Sequence, residues 1–265
     1  MPISVVFTDL DGTLLDLNGQ LNAEAEAALI RLRDSGIPVC PVTSKTAAEL
    51  RPFLAWLGMP WPAGFENGAG VLFPDGSTQL LESAVPACVL NQIAVEIRTR
   101  EQIPLRTIWE LTDEELRLLT GLPLSALAAA RDRQATAPLL LDERGEAALS
   151  RALPADRALT LIRGNRFLHL QGKHDKATVL DRLLSVAPVQ RPGHTVACGD
   201  SPNDISMLAA ADIPVIIPSA RGPHPALLER FPTAAVAPYP HGKGWAAAIT
   251  PLLDGKIEHG YVKPT

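Results

Sequence analysis

The sequence predicts an α/β fold, in which a parallel β-sheet is wrapped by helices and interrupted by an inserted α+β segment. Short apolar strands alternate with amphipathic helices near the start of the chain and again near its end, which is typical of a parallel sheet. Between these two stretches the alternation is lost. We therefore expect a core made of residues 1–82 and 171–265, with residues 83–170 inserted as a second domain.

The composition is that of an ordinary globular protein, with 265 residues, 46% hydrophobic residues and a net charge of −5. This charge favours neither nucleic acid nor a membrane surface as the main partner, and no apolar run approaches the roughly 20 residues that span a bilayer. Three scattered cysteines do not form a disulfide framework, so we expect reduced thiols and a cytoplasmic location. The sequence leaves the oligomeric state open.

The first stretch contains two predicted strand–helix units. A strand buried on both faces, ISVVFT, precedes the helix NAEAEAALIRLRDSG, which has the apolar spacing of a helix and a glycine stop. The second strand, IPVCPVTS, precedes the helix TAAELRPFLAWLG. The side chains of Thr46 and Glu49 are spaced as a capping box at its start, and Gly58 ends it.

The insert is predicted to combine helices with a small antiparallel sheet. A second capping box, Thr112 with Glu115, opens the helix TDEELRLLTGL, and SALAAARDRQ follows as another helix. Three short strands are predicted after them: PLLLD, RALTLIRG and RFLHLQG. Gly164 and Asn165 separate the last two strands, which is compatible with a tight hairpin.

From Asp175 onward the alternation of the first stretch returns. The predicted elements are the helix DKATVLDRLLSVA, the strand HTVACGD, the helix NDISMLAAAD and the strand IPVIIP, followed by TAAVAP and GWAAAITPLLDG. Lys176 opens the first of these helices. Lys173 lies close to it, but Lys176 is preferred as the site lysine because the apolar periodicity begins there.

Polar residues follow three of the predicted buried strands. Because sites in an open parallel sheet form beyond the carboxyl ends of the strands, these residues are candidates for one common site. The candidates from the core are Asp9, Asp11, Thr43, Ser44, Lys45, Lys176, Asp200, Asn203 and Asp204. Four carboxylates without nearby His or Cys favour Mg²⁺, a hard cation that also accepts phosphate oxygens. One Mg²⁺ and one lysine leave a charge of about −1, so the cluster can receive a phosphate dianion.

Such a cluster can perform phosphoryl transfer. One aspartate can attack phosphorus, and a second, two residues further along, can protonate the leaving oxygen and later activate water. Thr43 can donate a hydrogen bond to a phosphate oxygen, and Lys176 can neutralise charge on the nucleophile and on the phosphate.

Four motifs in this order resemble those of the haloacid dehalogenase-like (HAD) phosphohydrolases: DLDGT, the threonine of VTSK, the lysine that opens a helix, and GDSPND. The resemblance implies a Rossmann-like core in which Asp9 is the nucleophile and Asp11 the general acid and base. It also implies that Asp9, Asp200 and the main-chain carbonyl of Asp11 hold Mg²⁺, with Asp204 supporting the metal shell. ENGAG, residues 66–70, resembles the segment before the cap of class IIB members, and the predicted insert lies where their cap does.

A narrower resemblance is to the mannosyl-3-phosphoglycerate phosphatases, carried by the segments TGLPLSALAAARDR, RGNRFLHLQGKHDKATVL and HGKGWAAAI. It implies that Arg166 and His169 face the substrate from the insert. Ser44, Lys45 and Asn203 are candidate substrate contacts from the core. The chain departs from that family in two places. It reads QATAP where members often have an acidic residue, and Ala177 follows the helix lysine where they have glycine.

These observations predict a Mg²⁺-dependent phosphatase that acts on a small phosphorylated sugar-glycerate through an aspartyl-phosphate intermediate. Two enzyme alternatives remain, a phosphatase of another sugar phosphate and a phosphomutase. The non-enzyme alternative is a phospho-accepting signalling domain. Such domains place the acceptor aspartate on a different strand from the acidic pair, whereas here Asp9 and Asp11 follow one strand.

Overall fold

The structure is a computed structural model, and it describes residues 3–58, 60–164, 166–189 and 193–255. The strands of the described residues are β1 (Ile3–Thr8), β2 (Val39–Pro41), β3 (Ala63–Phe65), β4 (Gly70–Leu72), β5 (Thr78–Leu80), β6 (Arg106–Thr107), β7 (Thr136–Leu140), β8 (Leu159–Arg163), β9 (Leu168–Gly172), β10 (His194–Gly199), β11 (Ile213–Ile216) and β12 (Ala235–Val236). The helices are α1 (Ala23–Asp34), α2 (Ala47–Leu57), α3 (Ala87–Glu101), α4 (Asp113–Thr120), α5 (Leu124–Arg131), α6 (Glu143–Ala152), α7 (Leu180–Val186), α8 (Ile205–Ala210), α9 (Pro225–Arg230) and α10 (His241–Leu253).

The predicted parallel sheet is confirmed. Five strands pair in the order β12-β11-β10-β1-β2, and every neighbouring pair is parallel. All six residues of β1 are buried, as expected for a central strand covered by helices on both faces. In register, Thr8 at the end of β1 lies opposite Cys198 of β10 and Pro41 of β2. The carboxyl ends of these three strands therefore share one edge of the sheet.

The insert contains the second, antiparallel sheet, with the strand order β6-β7-β9-β8. Its apolar side chains form clusters of their own, including Leu90, Leu139 and Leu170, apart from the large cluster around the parallel sheet. The division into residues 1–82, 83–170 and 171–265 stays a prediction. Its second boundary falls inside β9, which runs on to Gly172.

Side chains cap the helices as the sequence indicates. Thr46 and Glu49 form a capping box at the start of α2, and Thr112 and Glu115 form one at the start of α4. Gly58 ends α2 in the left-handed conformation, with φ of 60°. No helix within the described ranges is long and apolar enough to cross a membrane.

Two predicted boundaries are wrong. The helix predicted from Asp175 begins only at Leu180, because the Asp175 carboxylate accepts hydrogen bonds from the N–H groups of Ala177 and Thr178 and holds a turn. Lys176 lies in that turn. The hairpin between β8 and β9 is confirmed, but Arg163 pairs with Leu168, so its loop has four residues instead of two. Asn165 of the predicted turn lies outside the described residues.

Five features were not predicted. Helix α3 opens the insert, the short strand β6 follows it, and helix α6 lies between β7 and β8. Helix α9 follows β11, and β3, β4 and β5 form a small antiparallel sheet. The ENGAG segment lies in this sheet, where Glu66 and Asn67 take positive φ values of 47° and 58° between β3 and β4. This turn directs Glu66 and Asn67, both fully buried, toward the insert.

Candidate active site

Asp9 is the first residue after the central strand β1. Its N–H group donates to the carbonyl oxygen of Cys198 at 3.0 Å, which continues the β1–β10 pairing one residue beyond the strand. The side chain is almost completely buried. Asp9 is thereby fixed beside the turn of residues 199–204, which carries the other carboxylates of the candidate site.

Lys176 joins two of these carboxylates. Its Nζ atom lies 2.6 Å from Oδ1 of Asp9 and 2.6 Å from Oδ1 of Asp204, and its side chain is fully buried. Burial alone would lower the pKa of Lys176, but the charges of Asp204 and Asp9 raise it above its ordinary value. The lysine is therefore charged and neutralises part of the acidic cluster.

Asp204 uses both of its carboxylate oxygens within the protein. Oδ1 accepts from Lys176, while Oδ2 accepts from the N–H groups of Asp200 and Ser201, at 3.0 Å each. Gly199 makes this arrangement possible, since a Cβ atom there would lie 2.4 Å from Cβ of Asp204. Asp204 thus holds the lysine and the turn in place.

Asp9 and Asp200 each keep one oxygen available. Oδ1 of Asp200 accepts from the hydroxyl of Thr13 at 2.8 Å, and Oδ1 of Asp9 accepts from Lys176. The second oxygen of each carboxylate has no hydrogen-bond partner among the residues that the structure describes. Carboxylate oxygens of Asp9, Asp200 and Asp204 lie within 4.8 Å of one another.

The electrostatics of this cluster fit a divalent cation. Burial, together with the neighbouring carboxylates, raises the pKa of Asp9 to about 7 and that of Asp200 to about 8, against the opposing effect of Lys176. A bound cation would remove the cost of ionising both groups. The donor set consists of hard carboxylate oxygens, which Mg²⁺ and similar ions prefer. The cluster can therefore hold a metal ion.

Asp11 faces a different partner. Its Oδ2 lies 2.8 Å from Nζ of Lys45, and about a third of its side chain is exposed.

Between Asp9 and the following helix, Gly12 has φ of 92°, and a Cβ atom there would lie 2.7 Å from Oδ2 of Asp200. Only glycine lets this turn approach the carboxylate of Asp200 so closely.

The candidate site opens into a cavity of about 710 Å³ between the core and the insert. Its lining includes eight of the residues singled out in the sequence: Asp9, Asp11, Ser44, Lys45, Arg166, His169, Asp200 and Asn203. Thr43, Lys176 and Asp204 are buried and do not line it. The hydroxyl of Thr43 accepts from the N–H group of Lys45 at 3.3 Å, within the loop that follows β2.

Two predicted residues reach the cavity from the insert. Arg166 is exposed, and its Nη2 lies 3.4 Å from the carbonyl oxygen of Leu17 in the core. His169 is 5% exposed, and its Nδ1 has no hydrogen-bond partner among the described residues. Burial, with the nearby charges of Arg133 and Arg163, lowers the pKa of His169 to about 3. His169 is therefore a neutral residue of the cavity lining whose buried Nδ1 has no partner among the described residues.

The sequence reasoning missed several residues of the cavity. Ser219, Arg221 and His224 reach it from the loop after β11, and the rule that sites follow strand ends could have identified them. Glu49 and Arg133 also line the cavity. The sequence identified Glu49 only as part of a capping box and Arg133 only within a segment that carries a family resemblance, so neither was predicted to reach the cavity.

The chain is similar to known proteins along most of its length. Residues 6–114 match the family model described as haloacid dehalogenase-like hydrolase. A glucosyl-3-phosphoglycerate/mannosyl-3-phosphoglycerate phosphatase from Persephonella marina is 32% identical over 97% of this chain and 99% of its own length. A protein of the same name from Methanococcoides burtonii is 28% identical, over 94% of this chain and 97% of its own.

Solved structures share the fold. A phosphatase of the haloalkanoate superfamily from Bacteroides thetaiotaomicron has a TM-score of 0.72 at 22% identity, covering 97% of this chain and 96% of its own. A HAD subclass IIB sugar phosphatase has a TM-score of 0.61 at 18% identity, covering 81% of this chain and 87% of its own. The family match, together with the full-length relative at 32% identity, confirms the resemblance: this chain belongs to the haloacid dehalogenase-like hydrolases.

Proposed function

We propose that this chain is a Mg²⁺-dependent phosphatase that hydrolyses mannosyl-3-phosphoglycerate, or a close analogue such as its glucosyl counterpart. The observation that carries the proposal is the state of Asp9. One of its oxygens is held by Lys176 at 2.6 Å, the other has no hydrogen-bond partner among the described residues, and Asp9 lines a large cavity shared with the insert. A buried, oriented carboxylate beside a charged lysine is a suitable nucleophile.

In the proposed reaction, the free oxygen of Asp9 attacks phosphorus and forms an aspartyl-phosphate while the bond to the leaving oxygen breaks. Asp11 gives its proton to that oxygen, and afterwards takes a proton from the water that attacks the same phosphorus and releases phosphate. The charge of Lys176 favours the ionised form of Asp9. Asp9, Asp200 and the main-chain carbonyl of Asp11 would hold Mg²⁺, which supplies positive charge against the phosphoryl oxygens.

The cavity supports a substrate larger than a simple phosphate ester. Arg166 offers paired donors that suit a carboxylate such as that of a glycerate. His169 lines the same cavity as a neutral imidazole, which can form a hydrogen bond with a hydroxyl group. The full-length relatives named for phosphoglycerate glycosides agree with this reading. Another sugar phosphate, or a phosphomutase reaction, is the alternative for the same site.

The test is phosphate release from a matched panel: mannosyl- and glucosyl-3-phosphoglycerate, 3-phosphoglycerate, and several hexose phosphates, each with Mg²⁺ and with excess chelator after dialysis. We expect kcat/KM to be highest for the two glycosides and activity to vanish with the chelator. A preference for a hexose phosphate would redirect the substrate assignment. A burst of phosphate followed by transfer to a sugar bisphosphate would indicate a mutase, and full activity with the chelator would exclude the metal.

A further inference from the structure

We propose that Arg133 is a positioning residue that couples the insert to Asp11 through the loop of residues 43–45. The inference rests on the proposed phosphatase reaction, in which Asp11 is the proton donor. It concerns how that donor is held, and it assigns the role to a residue of the insert that follows α5.

The loop of residues 43–45 is held by three hydrogen bonds to its successive carbonyl oxygens. The N–H group of Asn67 donates to Thr43 at 2.8 Å, and the N–H group of Glu66 donates to Lys45 at 2.9 Å. The carbonyl oxygen between them, that of Ser44, accepts from Nη1 of Arg133 at 2.7 Å. Two of the three donors thus belong to the core, and the third belongs to the insert.

The guanidinium of Arg133 is itself fixed. Only 8% of the side chain is exposed, its Nε donates to the carbonyl oxygen of Ala130 at 3.0 Å, and its Nη2 lies 3.9 Å from the carboxylate of Glu49. The contact with Ala130 ties the guanidinium to the end of α5, while Glu49 belongs to the capping box of α2. The planar group therefore spans the boundary between insert and core in one orientation.

Glu66 links the same loop to the insert through hydrogen bonds. Its N–H group binds Lys45, and its carboxylate accepts from the N–H groups of Gln134 and Ala135 at 2.7 Å and 3.0 Å. The carboxylate also accepts from the hydroxyl of Thr136 at 2.7 Å. Residues 133–136 of the insert are therefore linked to the backbone on both sides of the Ser44–Lys45 peptide bond.

Lys45 connects the loop of residues 43–45 to Asp11, the proposed proton donor. Its Nζ lies 2.8 Å from Oδ2 of Asp11, and within the described ranges it is the cation paired with that carboxylate. A shift of the Ser44 carbonyl oxygen would move the backbone of Lys45 and so change where Asp11 is held. Arg133 thus acts through Lys45, and its loss should weaken protonation of the leaving group.

The kinetic test compares two substrates of nearly the same size, phenyl phosphate and p-nitrophenyl phosphate. The phenolate leaving group is more basic and needs a proton, whereas nitrophenolate leaves without one. For Arg133→Met, we expect kcat/KM for phenyl phosphate to fall about tenfold or more, part of the roughly 10²–10⁴-fold that a general acid supplies. The value for p-nitrophenyl phosphate should fall less than about threefold. Arg133→Lys, which keeps the positive charge and a single donor nitrogen, should restore part of the loss.

Arg131→Met is the matched control, because it removes a guanidinium two residues away. The guanidinium of Arg131 also donates to a backbone carbonyl oxygen, that of Leu111, at 2.8 Å. Arg131 and Leu111 both belong to the insert, so this contact does not reach the core. We expect this variant to keep the wild-type ratio of the two kcat/KM values. Equal losses on both substrates in Arg133→Met would point to direct substrate contact or to general unfolding, and would overturn the proposal.

Hydrogen exchange gives a second readout that does not depend on activity. Amides of residues 43–49 should exchange faster in Arg133→Met than in the wild type, and should be unchanged in Arg131→Met. Unchanged exchange in Arg133→Met would overturn the inference by itself. If the wild type releases phosphate from no substrate, including the panel of phosphoglycerate glycosides and sugar phosphates, the proposed function fails, and the exchange result still decides whether Arg133 holds the loop.

Discussion

The Nζ atom of Lys176 lies 2.6 Å from Oδ1 of Asp9, in a buried ion pair between residues 167 positions apart in the chain. The same ammonium binds Asp204 at 2.6 Å. One buried cation thus serves two carboxylates, and it orients Asp9 so that a single oxygen is left for chemistry.

Replacing Lys176 should damage both catalysis and stability. In Lys176→Met, Asp9 and Asp204 lose their cation, so kcat should fall by at least about a hundredfold. The free energy of unfolding should fall by about 3 kcal/mol, because a buried carboxylate is left without its partner. Steady-state kinetics and urea unfolding measure the two effects. Lys173→Met is the control, since Lys173 is exposed, and it should change neither; the opposite result would mean that Lys173 is the site lysine.

Asp9 should carry the phosphoryl group. Asp9→Asn should abolish turnover, because an amide is a poor nucleophile, while Asp11→Asn should slow esters with basic leaving groups most. A crystal structure of the wild type with beryllofluoride, a mimic of the phosphoryl group, should show the adduct on Asp9. An adduct on Asp11 or Asp200 would reverse the assigned roles.

Mg²⁺ should stabilise the folded protein, whatever the substrate. A ligand that binds only the folded state raises the melting temperature in proportion to the logarithm of its concentration. We expect such a rise for the wild type and little for Asp200→Asn, which loses one of the two free carboxylate oxygens. Thermal melts across a Mg²⁺ series measure this. An equal rise in both proteins would place the ion elsewhere.

Arg166 should determine substrate preference. Hydrogen bonds to charged groups contribute roughly 1.5–3 kcal/mol, so Arg166→Ala should lower kcat/KM for the phosphoglycerate glycoside about ten- to a hundredfold. Hydrolysis of p-nitrophenyl phosphate should barely change, because that ester has no carboxylate. Arg166 also contacts Leu17 at 3.4 Å, so a melt should accompany the kinetics. Equal losses on both substrates would show that the arginine supports the fold or the phosphoryl centre instead.

His169 should make the protein less stable in mild acid. Its pKa is about 3 in the folded protein and about 6.5 in the unfolded chain, so between these values the unfolded chain binds a proton that the folded protein does not. The neutral His169 therefore costs the folded protein nothing well above pH 6.5. As the pH falls below 6.5, its effect lowers the free energy of unfolding, by about 2 kcal/mol at pH 5. Urea unfolding of the wild type and His169→Gln at pH 7.5 and 5 isolates this contribution. The wild type should lose more stability than the variant, and equal losses would contradict the burial of a neutral imidazole.

The sequence by itself determined the α/β class, the parallel core and the residues of the acidic cluster. These depend on local signals: the buried run before Asp9, the capping boxes at Thr46 and Thr112, and polar residues directly after strands. The turn that delays α7 to Leu180 could not be read from periodicity, since a side-chain hydrogen bond from Asp175 competes with the helix there.

Only the tertiary structure decided which partner each candidate residue meets. The ion pair of Lys176 with Asp9, the separate pairing of Lys45 with Asp11, and the contact of Arg133 with Ser44 join positions that are far apart in the chain. A sequence shows which residues can carry charge, but distances between distant positions depend on how strands align and how the insert packs. The physical reason is that a local pattern fixes an element, whereas a site is made by the packing of several elements against each other.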